Sequence, residues 1–283
     1  MMVGRDAILN VVKEEAEPKE VVLNVKNLSM YNLLGKKVVD ELSFSLRAGE
    51  ILGIAGVEGN GQTELSEIIT GMASASSGEI YINNFPTLGK SVRTIRETGL
   101  AHISEDRMTY GCVETKSVWQ NIMSDRYYHK RFSGLLSLKF KNIFSFAEDS
   151  RNRFNIKCDS VFDNVKMLSG GNIQKVIVAR EFTSEGNLII ANQPTRGIDV
   201  GATEFIRKEL VRMTREENKA VLLISADLNE VMELSDSLLV MVDGKFVAYF
   251  KDTKAMDEYE LGKFMLGLER MPDDKIRSVY VEK

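Results

Sequence analysis

Alternation of apolar and polar residues marks VVLNVKNL (21–28) and LSFSL (42–46) as half-buried strands. EILGIA (50–55) is a short, nearly all-apolar run of strand length. Leu65, Ile68, Ile69 and Met72 then recur at i, i+3, i+4 and i+7, one face of a helix. Gly71 and the small-residue run ASASSG mark its end. EIYIN (79–83) and GLAHIS (99–104) read as strands around a short helix in SVRTIRET (91–98). Ser117 and Gln120 form a capping-box pattern that opens a helix through Asn121 and Ile122. From about 117 to 184 the pattern is helical, with Phe140, Ile143, Phe144 and Ala147 on one face. LIIAN (188–192) returns as a buried strand. Residues 200–218 form an amphipathic helix with Phe205, Ile206, Leu210 and Met213 apolar. KAVLLIS (219–225) is a strand and DLNEVMEL (227–234) a helix. SLLVMV and KFVAYF flank Asp243-Gly244, the signal of a tight hairpin, and 256–267 closes as a helix. There is no internal repeat.

Strands alternating with helices predict an α/β fold with a mainly parallel sheet. The early strands form an antiparallel flank, and the block at 117–184 reads as an inserted helical lobe. The expected organisation is a linker at 1–20, charged and containing Pro18, then a core at 21–116 and 185–270. The lobe lies between the core segments, and 271–283 is a tail.

The strand at 50–55 runs directly into Gly56-Val57-Glu58-Gly59-Asn60-Gly61-Gln62-Thr63. The glycines match the phosphate-loop spacing G-x-x-x-x-G-K-[ST], but Gln62 stands where the lysine belongs. The strand–loop–helix context supplies helix amides and dipole for a phosphate. The alternative is a glycine-rich turn without a ligand. The glycine order is not GxGxxG, which excludes a Rossmann dinucleotide site.

Composition narrows this further. With 283 residues, 43% hydrophobic and 28% charged, the chain can bury a sizeable core. Its formal net charge of −4 gives no electrostatic case for nucleic acid as a partner. Cys112 and Cys158 are isolated, and His102 and His129 are too few for a histidine metal site. Isolated thiols fit a reducing compartment. No apolar run reaches membrane-spanning length. The opening residues are polar and charged, unlike a signal peptide, so a cytoplasmic location is expected.

A second motif, Leu168-Ser169-Gly170-Gly171-Asn172-Ile173-Gln174-Lys175, resembles the LSGGQ signature of ATP-binding cassette (ABC) ATPases. NLIIANQPTRGIDVGA resembles that family's Walker B strand and D-loop, with Asp199 in the latter. VLLISADLNEV (221–231) resembles its H-loop. Order and spacing agree from residue 21 to about 250. PTRGIDVGA, GGNIQK and SEDR (104–107) resemble the second cassette of two-cassette ATPases that power sugar and nucleoside importers. MVGRD (2–6) resembles the end of a first cassette, so the chain is expected to be the C-terminal half of a longer protein.

The resemblance implies a P-loop-type ABC ATPase fold and a pocket for ATP or ADP with Mg²⁺. That pocket is formed by Tyr31, Gly56, Glu58, Gly59, Asn60, Gly61, Gln62, Thr63, Glu64 and Glu105. Tyr31 occupies the adenine-stacking position, with a strand-end core tyrosine as its alternative. The Walker lysine is replaced by Gln62, the Walker B aspartate by Asn192 and the catalytic glutamate by Gln193. Glu105 stands for the Q-loop glutamine and Ala226 for the switch histidine. Thr63 keeps the metal-ligating hydroxyl, and Asn192 gives at best weak Mg²⁺ support. The charge changes cancel, so the pocket is expected to hold nucleotide weakly and not to hydrolyse it. Loss of the base alone removes about 10² to 10⁴ in rate.

The signature survives, and Ser169, Gly170, Gly171, Asn172 and Asp199 are expected to complete the ATP site of a partner cassette, the N-terminal one of the same chain. Further implied partners are transmembrane permease subunits, met by the lobe and residues 105–122, and indirectly an extracellular substrate-binding protein. The protein would lie peripherally on the cytoplasmic face of the plasma membrane. The wording AxQPTRG favours nucleosides over pentoses or galactosides. Two other functions compete: a self-sufficient homodimeric NTPase, and a non-transport cassette protein.

Overall fold

The computed structural model describes residues 13–253 and 257–281. MVGRD (2–6) and Met256 lie outside the described residues. The chain begins with strands β1 (Val21–Tyr31), β2 (Lys37–Arg47) and β3 (Ile51–Ala55) and helix α1 (Gln62–Thr70). β4 (Ser77–Ile82), β5 (Phe85–Pro86), α2 (Val92–Glu97) and β6 (Leu100–Ile103) follow. Next come helices α3 (Val118–Met123), α4 (Phe140–Arg153) and α5 (Gly170–Phe182). After β7 (Leu188–Asn192), α6 (Val200–Arg215) leads to β8 (Ala220–Ser225) and α7 (Leu228–Leu234). The hairpin β9 (Ser237–Val242) and β10 (Lys245–Phe250) precedes α8 (Glu258–Met265) and α9 (Asp273–Arg277).

The described residues divide into two compact units: a helical unit of 103–184 with 194–207, and a sheet unit holding the remainder. In the sheet unit an antiparallel sheet runs β2-β1-β4-β5 and a second sheet runs β10-β9-β3-β8-β7-β6. β3 pairs in parallel with both β8 and β9, β7 is parallel to β8, and β10 is antiparallel to β9. β3, β7 and β8 are buried at every residue. This is why they read as continuous apolar runs: both faces of a parallel sheet are covered. Leu52, Ile54, Leu222 and Leu239 join Phe44, Ile69 and Ile80 in one cluster. Ala55, Leu238 and Val240 face Val231, Leu261 and Phe264 in another. Phe44 is fully buried edge-on to Phe246 at 5.8 Å, and burying such a ring stabilises by about 1.5–3 kcal/mol.

Local chemistry sets the boundaries. Asp243 (φ 45°) and Gly244 (φ 80°) are both left-handed, as the predicted tight hairpin requires. α1 stops at Gly71 (φ 78°), so Met72 lies beyond the helix whose face it was expected to extend and is 37% exposed. β1 runs three residues further than its alternation suggested, with a register shift after Val25 where Asn27 takes φ 47°. Residues 13–20 form neither helix nor strand, yet the Lys19 N–H donates to the Ala48 carbonyl at 2.9 Å.

In the helical unit, Ser117 and Gln120 make the reciprocal capping box at α3. Met123, Phe132 and Ile143 form a small core supported by Trp119, Phe144 and Phe146. Ile143 and Ala147 are buried, but Phe140, expected on the same face of α4, is half exposed and edge-on to Trp119 at 6.4 Å. A π-helical turn at Arg107–Gly111, absent from the sequence reading, is capped by Asp106. Bonds from the Thr109 hydroxyl, then from the Thr109 and Met108 amides, hold the Asp106 carboxyl below its ordinary range.

Candidate functional site

The sheet unit presents the glycine loop at the carboxyl ends of parallel strands. Ala55 pairs with Ser225 and Asn192 with Ile224, so Gly56, Ala226 and Gln193 leave three neighbouring strands at the same end. In open α/β sheets this is where ligands bind. The loop turns into α1 at Gly61, whose φ of 106° suits glycine. A Cβ there would also lie 2.3 Å from the Val38 carbonyl oxygen.

Asn60 anchors the loop to the hairpin turn. Its side-chain oxygen accepts the Asp243 N–H at 3.0 Å and its carbonyl accepts the Gly244 N–H at 2.9 Å. Gln62 is buried and folds back: its amide Nε2 donates to the Val57 carbonyl at 3.3 Å. A Cβ on Gly56 would meet that amide at 2.2 Å. Thr63 is exposed beside it. Residues 56–64 contain Glu58 and Glu64 and no cation, so within the loop an anion would be held by backbone amides and the α1 dipole.

Asn192 is buried at the end of β7. Gln193 takes φ 50°, a left-handed conformation uncommon outside glycine, with its N–H on the Ile224 carbonyl at 2.8 Å. Ala226 precedes α7, whose cap Asp227 accepts from the Asn229 amide at 3.0 Å. Tyr31 ends β1 and is 53% exposed, so it is no core tyrosine.

The helical unit carries the other set. Ser169 is the N-cap of α5 but its hydroxyl caps no backbone amide. Instead Asn172 Nδ2 donates to Ser169 Oγ at 2.8 Å, and the Lys157 N–H donates to Asn172 Oδ1 at 2.8 Å. Asp199 caps α6, accepting the Ala202 N–H at 2.9 Å. Its other oxygen sits 2.3 Å from where a Cβ on Gly171 would lie. Arg107 donates to the carbonyls of Arg196 (2.9 Å) and Gly197 (3.0 Å). Arg196 in turn pairs with Glu105 at 2.5 Å. Signature and D-loop positions therefore lie side by side, each held by its own bonds, with Gly171 packed against Asp199. Beneath them Lys175 is buried over the Phe205 ring, and desolvation pushes its ammonium pKa down despite nearby Asp199.

Of the expected pocket residues, Glu105 alone belongs to the helical unit. Sequence reasoning missed Asn60 as an anchor, Arg107 as a D-loop clamp and the Asn172–Lys157 bond. Among the described residues, no group of three or more His, Cys, Asp or Glu could hold a metal ion, and no helix is long and apolar enough to cross a membrane.

The mixed sheet, its antiparallel flank and the separate helical unit are those of the ABC ATPase fold. The sequence profile of the family described as ABC transporter matches residues 39–196, more than half of the chain. The chain belongs to the ABC transporter family. Among curated proteins it is 38% identical over 94% of its length to the guanosine import ATP-binding protein NupO of Bacillus subtilis, covering 52% of that protein. It is 39% identical, over the same shares, to the nucleoside import ATP-binding protein NupA of Lactococcus lactis. The glucose import ATP-binding protein TsgD13 of Haloferax volcanii is 37% identical, with 94% of this chain covering 48% of it. The chain thus spans about half the length of the curated relatives it matches. The fold is similar to the dimeric structure of MJ0796, a bacterial ABC transporter cassette (TM-score 0.71, 19% identity, 83% of this chain, 100% of that one). It is also similar to the ADP conformation of MJ1267, an ATP-binding cassette of an ABC transporter (TM-score 0.66, 20% identity, 94% and 100%).

Proposed function

We propose that this chain is a nucleotide-binding cassette of an importer for nucleosides or simple sugars, with a silent pocket of its own. Its signature loop completes the nucleotide site of a partner cassette. The carrying observation is the contrast between the two sets of residues. Ser169, Gly170, Gly171 and Asp199 are all present, and Asp199 packs against Gly171. The pocket has Gln62, Asn192, Gln193 and Ala226 where the family's chemistry needs a cation, a metal ligand, a base and a histidine.

The loop amides and α1 fit the phosphates of ATP or ADP. The donor set does not fit a catalytic Mg²⁺, which favours carboxylate oxygens: Thr63 offers a hydroxyl and Asn192 an amide. Gln193 can orient water but its neutral amide takes no proton. Hydrolysis in this pocket therefore lacks a base, a cation and metal support. At the signature, Ser169 is exposed and stands at the start of α5, where its hydroxyl and the helix N-terminus suit a phosphate held by another domain.

The partner cassette is proposed to precede this one in the same polypeptide, in keeping with the half-length match. Permease subunits would seat on the helical unit at the cytoplasmic face of the membrane, with a substrate-binding protein acting outside. Relatives named for guanosine and nucleoside import favour a nucleoside cargo. The test has two arms. The purified chain should hydrolyse ATP no faster than its Thr63→Val variant. In the assembled importer, Gly170→Asp should stop uptake. Turnover by the chain alone that Thr63→Val abolishes, or uptake unaffected by Gly170→Asp, would contradict the reading.

A further inference from the structure

The signature ends in asparagine, and its side chain makes two bonds that fix more than a loop. Lys157 presents a backbone N–H, which can only donate, to one end of the Asn172 amide at 2.8 Å. That end must be the oxygen. The other end, 2.8 Å from Ser169 Oγ, is therefore the NH₂ group, and it donates to the serine. The ambiguity that usually attends an amide orientation is removed by the obligate donor.

The consequence falls on the serine. An N-cap serine ordinarily accepts from a backbone amide one turn on, and Ser169 does not. Its oxygen instead accepts from Asn172, which leaves its own O–H as the group to be shared with a ligand. Ser169 is an exposed residue. We propose that Asn172 is a positioning residue, which polarises the Ser169 hydroxyl as a hydrogen-bond donor toward a phosphate oxygen held by the partner cassette. The inference rests on the proposed role of the signature and assigns the direction of one hydrogen bond within it.

Aspartate at this position is the discriminating change. Asn172→Asp keeps the shape and keeps an acceptor for the Lys157 N–H. It replaces the NH₂ donor with an acceptor, so the Ser169 O–H turns inward and lone pairs face the phosphate. Asn172→Ala loses both bonds but leaves the hydroxyl free to rotate outward. A structural role for Asn172 makes alanine the worse change. A polarising role makes aspartate the worse one.

The experiment uses the assembled importer containing this chain, with two readouts: affinity for fluorescent, non-hydrolysable AMP-PNP and the rate of ATP hydrolysis. Ser169→Ala should weaken both. Asn172→Asp should cost roughly 10- to 100-fold, the worth of one charge-assisted bond, and Asn172→Ala less than 10-fold. In the Ser169→Ala background the cost of Asn172→Asp should shrink at least threefold, because the hydroxyl it redirects is gone. Asn172→Ala worse than Asn172→Asp would overturn the inference. So would an Asn172→Asp cost equal in both backgrounds, which would be charge repulsion alone. Ser169→Ala without effect would refute the signature's role itself, whereas loss in Ser169→Ala with a neutral Asn172→Asp would refute only the polarising role.

Discussion

Gly171→Ala tests the cluster of signature and D-loop through a single methyl group. The added Cβ would sit 2.3 Å from Asp199 Oδ2 and 3.1 Å from the Ala202 Cβ. Ordinary contact begins near 3.4 Å, so the carboxylate must retreat by about 1 Å, the difference between those two distances. That motion stretches its 2.9 Å bond to the Ala202 N–H beyond hydrogen-bond range. Losing a helix cap costs about 1 kcal/mol, range 0.5–2, and residual overpacking adds about 1 kcal/mol. The expected destabilisation is roughly 2 kcal/mol. In an Asp199→Ala background the obstacle is gone, and the cost of Gly171→Ala should fall below about 1 kcal/mol, a coupling within the range seen for residues in contact. The chain has one tryptophan, Trp119, inside the helical unit. Urea unfolding followed by its fluorescence therefore reports on the unit concerned, as a shift in midpoint at constant slope. A cost under 0.5 kcal/mol, or the same cost with and without Asp199, would refute this reasoning.

Other outcomes are expected elsewhere in the molecule. Gln62→Lys should raise ATP affinity of the purified chain several-fold by calorimetry without producing hydrolysis, because one cation returns but Gln193 and Ala226 remain. Gly61→Ala should cost more than 2 kcal/mol in urea unfolding, since it meets both a φ of 106° and the backbone of Val38. Glu50 gives a pH signature. Desolvation raises its carboxyl pKa, opposed by the Ser237 hydroxyl and the Arg47 amide. A raised folded-state value means that the folded chain binds more protons, so this stabilisation is present at low pH and is lost as pH rises through that value. Glu50→Gln should flatten the fall in stability as pH rises above the ordinary carboxylate range; an unchanged slope there would contradict it.

What could be read from the sequence depended on how local its cause was. The buried strands LIIAN and KAVLLIS announced themselves because both faces of β7 and β8 are covered. Asp243-Gly244 announced a hairpin because few residues accept two successive left-handed conformations. The end of α1 was less legible: Met72 keeps the helical period although Gly71 has already turned the chain. The π-helical turn at 107–111 has no periodicity of its own and depends on the Asp106 cap. For the site, identities were legible and directions were not. Gln62 could be seen where the phosphate-loop spacing expects a lysine, but not to fold back onto Val57. Arg107 reaches carbonyls 89 and 90 positions away, and a backbone carbonyl carries no signal in the sequence. The bond from Lys157 to Asn172 is equally silent, although it fixes which way the Asn172 amide is turned.

The central claim is that the chemistry served by this chain happens at its signature and not in its own pocket. Steady-state ATP hydrolysis by the assembled importer carrying Ser169→Arg tests it most directly. The arginine would project from the exposed cap of α5 into the place of the partner's phosphate. The account predicts a fall to the rate of the permease-only control, with the variant chain still folded and still assembled. Hydrolysis at the unmodified rate would contradict it.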